Sequence, residues 1–517
     1  MLKTISIILL CTLQIVASDE KQSIVELDLE VGAADTARSI TAHGDFNNDG
    51  YDDLIFSFIG VDSEAEEFLD GRVVVTYGSV QGLKDANKQI FQQTTDGIVP
   101  LPFNTEPHKD RGFGTSLSTG DYNHDGYTDL IIGNSTRDHK SGSITVLYGS
   151  SSGLTTTNSK MFNQDSKGIP GTVEVNDLFG STLSSGDYNN DGYTDLAIGI
   201  INEGLMHNRI HGTHRAGGIT ILYGSSIGLT TDSALWIDQD VRGVPGSVES
   251  NDHFGKVLNS GDYNDDGYDD LAIGIPNESL ASQYPPRDYN KRAGAVTILY
   301  GSESGIDTTK SQWFDQDSKG IPGDIEEEDK FGETLSTGDF NNDGIADLAI
   351  GISERLLTWG GTRIYNPGAL TVLYGSKKGL KATKDTKWID QGSKGIQGDP
   401  EHRDFFGSAL SSGDFNNDGY SDLLVGVPGE SLYYKYSDTG VTHILYGSEH
   451  GITGLHSKWI EQTTALHFGR ALTSGDFNGD NHLDIVIASH SFKEPITIFI
   501  GTSTGDIKNS IILKSKK

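Results

Sequence analysis

One ten-residue pattern, written seven times along the chain, restricts the fold more than any other feature. It reads GDFNNDGYDD from Gly44, GDYNHDGYTD from Gly120, GDYNNDGYTD from Gly186, GDYNDDGYDD from Gly261, GDFNNDGIAD from Gly338, GDFNNDGYSD from Gly413 and GDFNGDNHLD from Gly475. The first Asp of each copy falls at 45, 121, 187, 262, 339, 414 and 476, a step of 62 to 77 residues. Other features keep the same phase. Phe-Gly precedes that Asp at Phe113, Phe179, Phe254, Phe331, Phe406 and Phe468. An apolar run such as DLAIGI follows it, then ITVLYGS or a relative reaching Tyr77, Tyr148, Tyr223, Tyr300, Tyr374 and Tyr446, with IFIGT in the seventh copy. A run such as ALWIDQD closes the repeat.

Each repeat therefore holds four short strand-like segments: A after Phe-Gly, B after the acidic loop, C ending in YGS, and D around WIDQ. Short Val/Ile/Leu/Tyr runs bounded by Gly, Asp, Asn and Ser read as strands, and helix-period segments are scarce. Gly makes up 65 of 517 residues without a collagen-like period, which suits many tight turns. A four-stranded antiparallel meander repeated radially is a propeller blade. One repeat alone buries too little apolar surface to fold, and no Pro/Ser-rich linker interrupts the period. The expectation is all-β: a single seven-bladed β-propeller over residues 19–517, four antiparallel strands per blade, with calcium-binding A–B loops.

The loop chemistry carries that last term. With the first Asp as position 1, oxygen side chains recur at 1, 3, 5 and 9, position 6 is a turn-forming Gly, and position 7 offers its carbonyl. The candidate ligands are Asp45, Asn47, Asp49, Tyr51 and Asp53; Asp121, Asn123, Asp125, Tyr127 and Asp129; Asp187, Asn189, Asp191, Tyr193 and Asp195; and Asp262, Asn264, Asp266, Tyr268 and Asp270. The remaining three sets are Asp339, Asn341, Asp343, Ile345 and Asp347; Asp414, Asn416, Asp418, Tyr420 and Asp422; and Asp476, Asn478, Asp480, His482 and Asp484. Hard oxygen donors around a Gly-pivoted turn suit Ca²⁺, whereas Mg²⁺ demands stricter octahedral geometry. The alternative for a single such turn is a solvated Asp/Asn loop without metal. Seven equal spacings favour a cation, because three close carboxylates repel one another without one. Up to seven structural Ca²⁺ ions are expected.

The N-terminal MLKTISIILLCTLQIVAS has the charged start, apolar stretch and small-residue end of a signal peptide over residues 1–18. Its apolar run is too short to span a bilayer comfortably, and no later segment approaches a span, so the mature chain is expected to be secreted without a transmembrane segment. Cys11 is the only cysteine, so disulfides cannot staple the mature chain and another clamp is needed. A formal charge of −34 argues against nucleic-acid partners.

Phe-Gly, the GDxNxDG loop and the following DLAIG-type strand together resemble the FG-GAP repeats of the integrin alpha-subunit propeller. Tracts such as GIPGTVEVNDLFG, GVPGSVESNDHFG and GIPGDIEEEDKFG are also similar to those of GPI-specific phospholipase D and bacterial integrin-like proteins. The resemblance covers nearly all of the expected mature chain. Two departures stand out: Ala37-Arg38 replaces Phe-Gly in the first repeat, and Asn481 replaces Gly in the seventh. Neither integrin leg domains nor the phospholipase's catalytic domain is recognisable, so the expectation is a propeller without the remainder of either protein.

In a meander, successive turns alternate ends. The acidic A–B loops share one face with the C–D turns, and the B–C loops share the other with the D–A crossovers. The B–C loops have escaped the repeat and are rich in Arg, His and aromatics. Trp359, Arg363, Tyr365, Arg287, Tyr289, Tyr433 and Tyr434 are the candidate ligand-binding residues there, set against ordinary loop decoration. Trp236, Trp313, Trp388 and Trp459 recur in phase and read as blade packing. His207, His211 and His214 fix no metal geometry by spacing, and Asn134 and Asn277 lie in glycosylation sequons. No nucleophile elbow, Walker loop, zinc-protease helix or paired-carboxylate motif is present, so no catalytic residue is named. The reading is an adhesion or protein-binding module with a protein or glycan ligand. The alternative is a carbohydrate-binding or polysaccharide-cleaving propeller that uses the aromatic loop face. Ring closure is open between Ile24–Leu29 and Ser510–Leu513 as the outer strand of the last blade.

Overall fold

The computed structural model describes residues 23–515 except 28–37, 63–66, 85–86, 100–111, 136–140, 208–210, 282–288, 291, 355, 360–361, 432–438, 463–465, 490–495 and 503–507. The expected leader at residues 1–18 lies outside the described residues. The chain forms seven antiparallel meanders arranged as the blades of a propeller. In the third blade, strands A to D are Phe179–Gly186, Asp195–Ile200, Gly218–Tyr223 and Thr230–Ile237, hydrogen-bonded in that order. Strand A of each blade touches strand A of its neighbours, so the A strands line the axis and the D strands form the rim.

Strand B explains why the sequence does not alternate. Asp195–Ile200 is buried along its whole length, as are Asp129–Asn134 and Asp270–Ile275. Both faces of a blade are covered by neighbouring blades, so a strand at its centre has no solvent side and needs no polar positions. The core is accordingly seven apolar clusters, one per blade junction. Tyr188, Ile219, Ile221, Phe254, Ile273 and Leu299 fill the junction of blades 3 and 4. Leu54, Phe56 and Val74 of blade 1 meet Phe477, Val486 and Ile498 of blade 7, which closes the ring.

Phe-Gly works at these junctions. Phe254 is fully buried, and its N–H donates to Ala216 O of the preceding blade at 2.7 Å. Gly217 lies against it with φ 87°, and a Cβ there would meet Phe254 O at 2.4 Å. Glycine is therefore required twice over, by sign of φ and by closeness of the neighbouring backbone. The repeated tryptophans are scaffold, as expected. The Nε1–H groups of Trp236, Trp313 and Trp388 donate to Asp238, Asp315 and Asp390 at 2.7, 2.9 and 3.1 Å, and that of Trp459 to Glu461 at 2.8 Å.

Blade 7 takes both chain ends. Lys508–Ser515 is its fourth strand, with Leu513 opposite Ile496. Ser23–Leu27 then adds a fifth strand, parallel to it, with Ser23 opposite Ile511. The two candidates for the outer strand are thus neighbours rather than competitors. One sequon is corrected: Asn134 is 1% exposed and its amide donates to Gln93 Oε1 at 3.3 Å, so it offers no acceptor for a glycan.

Candidate metal loops and the opposite face

The acidic loops are built alike. In the first, Asp45 accepts from Asp49 N–H at Oδ1 (3.1 Å) and from Gly50 N–H at Oδ2 (2.9 Å). Asn47 Oδ1 accepts from Asp49 N–H at 3.0 Å, and Asp49 Oδ1 accepts from Tyr51 N–H at 3.2 Å. Asp53, fully buried at the start of strand B, accepts from Phe46 N–H at 3.0 Å and from Gly78 N–H of the C–D turn at 2.8 Å. Gly50 has φ 87°, and its counterpart in the seventh loop, Asn481, has φ 61°, so the Asn for Gly exchange keeps the left-handed turn.

An aromatic at position 2 fixes each loop to the scaffold. Phe46, Tyr122, Tyr188, Tyr263, Phe340, Phe415 and Phe477 are all buried in the clusters between blades. Tyr188 OH also bonds Ser260 Oγ of the next blade at 2.8 Å, and Tyr263 OH bonds Thr337 Oγ1 at 2.7 Å. Sequence reasoning missed this residue, although the alternation Phe/Tyr at that place in all seven copies was its signal. It also missed position 4, where Asn48, His124, Asn190, Asp265, Asn342 and Asn417 take φ of 51–56°.

The electrostatics of position 9 are the same in every blade. Burial, reinforced by the carboxylates at positions 1 and 5, pushes Asp53, Asp129, Asp422 and Asp484 up to about 7. It pushes Asp195, Asp270 and Asp347 up to about 8. No cationic side chain contributes to any of these shifts. The donors present are all hard oxygens, and two of them, Asn264 Oδ1 and Asp484 Oδ2, are buried with no hydrogen-bond partner. On donor chemistry the loops fit a calcium ion. Among the described residues, no three His, Cys, Asp or Glu side chains crowd into a ready-made cage. The loops' donor sets include an Asn oxygen and a main-chain carbonyl, and their carboxylates are turned onto backbone N–H groups.

The opposite face is irregular. The B–C connections of blades 3, 4 and 5 each rise into a two-stranded hairpin: Leu205–His207 with His211–Thr213, Leu280–Ala281 with Tyr289–Asn290, and Leu356–Trp359 with Thr362–Tyr365. Trp359 pairs with Thr362 and Thr358 with Arg363 in the last of these. Arg363 is exposed, and Tyr365 is 55% exposed and stacked on His402 of the following crossover, ring centroids 5.6 Å apart. His207 stands opposite His211 in the first hairpin. Arg287, Tyr433 and Tyr434 lie outside the described residues. The structure thus brings Trp359, Arg363 and Tyr365 onto one hairpin and places Tyr289 on its neighbour in blade 4.

A second acidic feature recurs at the start of the B–C loops of blades 3, 4 and 6. Gln164, Gln239 and Gln391 at the ends of the D strands donate to buried Glu203, Glu278 and Glu430 at 2.8, 2.9 and 2.6 Å. These bonds tie three of the crossovers to the base of the B–C loop that follows.

The FG-GAP repeat model matches residues 113–147, 179–222, 254–299, 331–372, 406–445 and 468–507, one match in each of blades 2 to 7. Phosphatidylinositol-glycan-specific phospholipase D of Bos taurus is 29% identical over 174 residues, 34% of this chain and 18% of that protein. Integrin alpha-PS2 of Drosophila melanogaster is 25% identical over 282 residues, 52% of this chain and 18% of that protein. The chain therefore matches less than a fifth of the length of either relative. The solved rhamnogalacturonan lyase YesW aligns over 94% of this chain and 69% of its own at 13% identity, but with a TM-score of 0.34 that likeness carries no argument. The seven-bladed ring, its buried Phe-Gly junctions and the six matched repeats place the chain in the FG-GAP repeat family.

Proposed function

We propose that the chain is an exported, calcium-stabilised propeller that holds a protein partner on its B–C and D–A face, in adhesion or matrix contact. The observation that carries this reading is the division of labour between the two ends of the ring. One end repeats a single loop seven times, as a scaffold does. The other end raises three hairpins of unlike sequence from blades 3, 4 and 5, as a recognition surface does. Matches to proteins named integrin support the protein-binding class. No helix among the described residues is long and apolar enough to cross a membrane.

In this reading calcium is held at positions 1, 3, 5, 7 and 9 of each acidic loop, from Asp45 to Asp53 in the first. The ion supplies positive charge between carboxylates that otherwise repel. The chain's own part is to fix those oxygens: the aromatic at position 2 anchors the loop, and the C–D turn glycine holds position 9. Partner capture from an extracellular extract, compared in calcium and in EGTA, tests the reading. A partner retained in calcium and released in EGTA supports it. A partner found only with intracellular extract, or captured equally by a chain lacking the three hairpin tips, contradicts it.

A further inference from the structure

The C–D turn of blade 5 breaks the charge pattern of the molecule. Residues 377–388 read KKGLKATKDTKW, with lysine at 377, 378, 381, 384 and 387, in a chain of formal charge −34. The same stretch is SSGLTTTNSKMF in blade 2 and SIGLTTDSALW in blade 3. Lys377, Lys378, Lys381 and Lys384 have no lysine counterpart in blades 2 and 3, so the turn folds without them. Lys377 and Lys378 border a groove of about 360 Å³ that runs between the C–D turns of blades 4 and 5 on the acidic-loop face. Lys310 of blade 4 stands on the same groove, with Ser311, Gln312, Asn264 and Asp266 in its polar lining, the last two being positions 3 and 5 of the fourth acidic loop.

The ammonium groups are only partly spoken for. Lys377 Nζ lies 3.4 Å from Asp265 Oδ2. Among the described residues, Lys310 and Lys378 have no carboxylate within ion-pair distance, and both are exposed. The wall, by contrast, is fixed: Gln312 Nε2 donates to Leu380 O at 3.0 Å while its Oε1 accepts from Tyr300 OH. The groove contains no arginine fork for bidentate phosphate, no exposed aromatic to stack a base and no apolar pocket to seat a peptide side chain. What remains is point positive charge beside fixed amides and a hydroxyl. That set suits a chain that is both anionic and rich in hydroxyls. The carboxylates at the groove are Asp265, 3.4 Å from Lys377, and Asp266 in its lining; the molecule's charge beyond roughly 8 Å is largely screened at physiological salt.

We infer that the groove between the C–D turns of blades 4 and 5 binds an acidic polysaccharide through Lys310, Lys377 and Lys378. This site lies on the face away from the hairpins and is independent of the partner proposed there. Retention of the full chain, in calcium and at physiological ionic strength, is measured on immobilised polygalacturonate, dextran sulfate, neutral dextran and polyglutamate. Retention is expected on polygalacturonate, dextran sulfate or both, the pattern telling a carboxylate ligand from a sulfate one. The triple variant Lys310→Glu, Lys377→Glu, Lys378→Glu should weaken it by roughly tenfold or more with its melting temperature unchanged. A matched reversal outside the groove, Lys84→Glu, Lys167→Glu, Lys319→Glu, should change it by less than about twofold. Absence of retention on both anionic glycans, equal retention on neutral dextran or polyglutamate, or retention that survives the groove reversal each overturns the inference. If the triple variant does not fold, Lys310→Gln with Lys378→Gln replaces it, and unchanged retention there overturns the inference equally.

Discussion

Asp52 and Asp476, 424 residues apart, clasp the two ends of the ring. Asp52 N–H donates to Asp476 O at 3.0 Å, and Asp476 N–H donates back to Asp52 Oδ2 at 2.8 Å. The first of these bonds recurs between neighbouring acidic loops elsewhere: Thr128 to Asp45, Thr194 to Asp121, Asp269 to Asp187, Ala346 to Asp262 and Ser421 to Asp339, at 2.9–3.2 Å. The return bond to a carboxylate is made at one further junction, where Asp187 N–H donates to Asp269 Oδ2 at 2.8 Å. The acidic loops therefore brace one another, and the closing junction is braced in both directions. Burial alone would raise the Asp52 carboxyl, but His43 beside it and the Asp476 amide more than offset that and hold it below the usual range.

Asp52→Ala removes a charged acceptor at the ring closure and leaves the Asp476 N–H without its partner. A loss of about 1.5–3 kcal/mol in urea unfolding is expected. Thr128 gives only its backbone amide to the equivalent bond, so Thr128→Ala should cost much less. Equal costs for the two would show that the clasp adds nothing to closure.

The two chain ends make unequal contributions. Lys508–Ser515 completes blade 7, whereas Ser23–Leu27 only extends it. Deleting residues 508–517 should bare the edge of a three-stranded blade and bring aggregation or a large fall in melting temperature. Deleting residues 19–31 should leave a four-stranded blade and a smaller fall. The ordering of the two truncations in differential scanning calorimetry is the check.

His443 sits in strand C of blade 6, Val441–Leu445, where five other blades have Thr145, Thr220, Thr297, Thr371 and Thr497 and blade 1 has Val74. It is fully buried, neither ring nitrogen has a hydrogen-bond partner, and it packs edge-on against Trp459 at 5.1 Å. Burial lowers its pKa from 6.5 to about 4. The unfolded chain takes up a proton as pH falls through about 6.5, while the folded chain stays neutral until about 4. Stability is thus unaffected above that window and declines within it, by about 3 kcal/mol in all. His443→Thr should remove this component, so that wild type and variant diverge as pH falls from 7 to 4.5. Parallel stability curves would contradict it.

Trp359→Ala with Arg363→Ala should weaken capture of the hairpin-face partner by tenfold or more while leaving the melting temperature within about a degree, since their hairpin is a sheet separate from the four strands of the blade. Asp343→Ala should lower the melting temperature and affect capture only through lost fold. Normal binding by the double variant, together with lost binding by a folded Asp343→Ala chain, would place the partner on the acidic-loop face.

Much of the architecture was legible because the constraint repeats. Seven in-phase loops fix blade number, and strand B runs such as DLAIGI announce burial on both sides. What escaped notice has a common cause: it depends on contacts between blades. Phe46 and its counterparts look like loop residues until the neighbouring blade covers them. Gly217 looks like one turn glycine among many until Phe254 is seen against it. The parallel pairing of Ser23–Leu27 with Lys508–Ser515 joins segments nearly 500 residues apart, and no local pattern encodes it. Asn134 satisfies a sequon in one dimension and is sealed against Gln93 in three.

We propose that the acidic loops are calcium sites. Equilibrium dialysis of the chelator-stripped chain against Ca²⁺, with bound metal counted per chain and the melting temperature followed alongside, tests it most directly. Several ions per chain, up to seven, are expected, with a melting temperature that rises by more than about ten degrees as they bind, since occupancy at ~100 times Kd adds about 2.7 kcal/mol per independent site. A stripped chain that binds no calcium and melts identically with and without it would contradict the account.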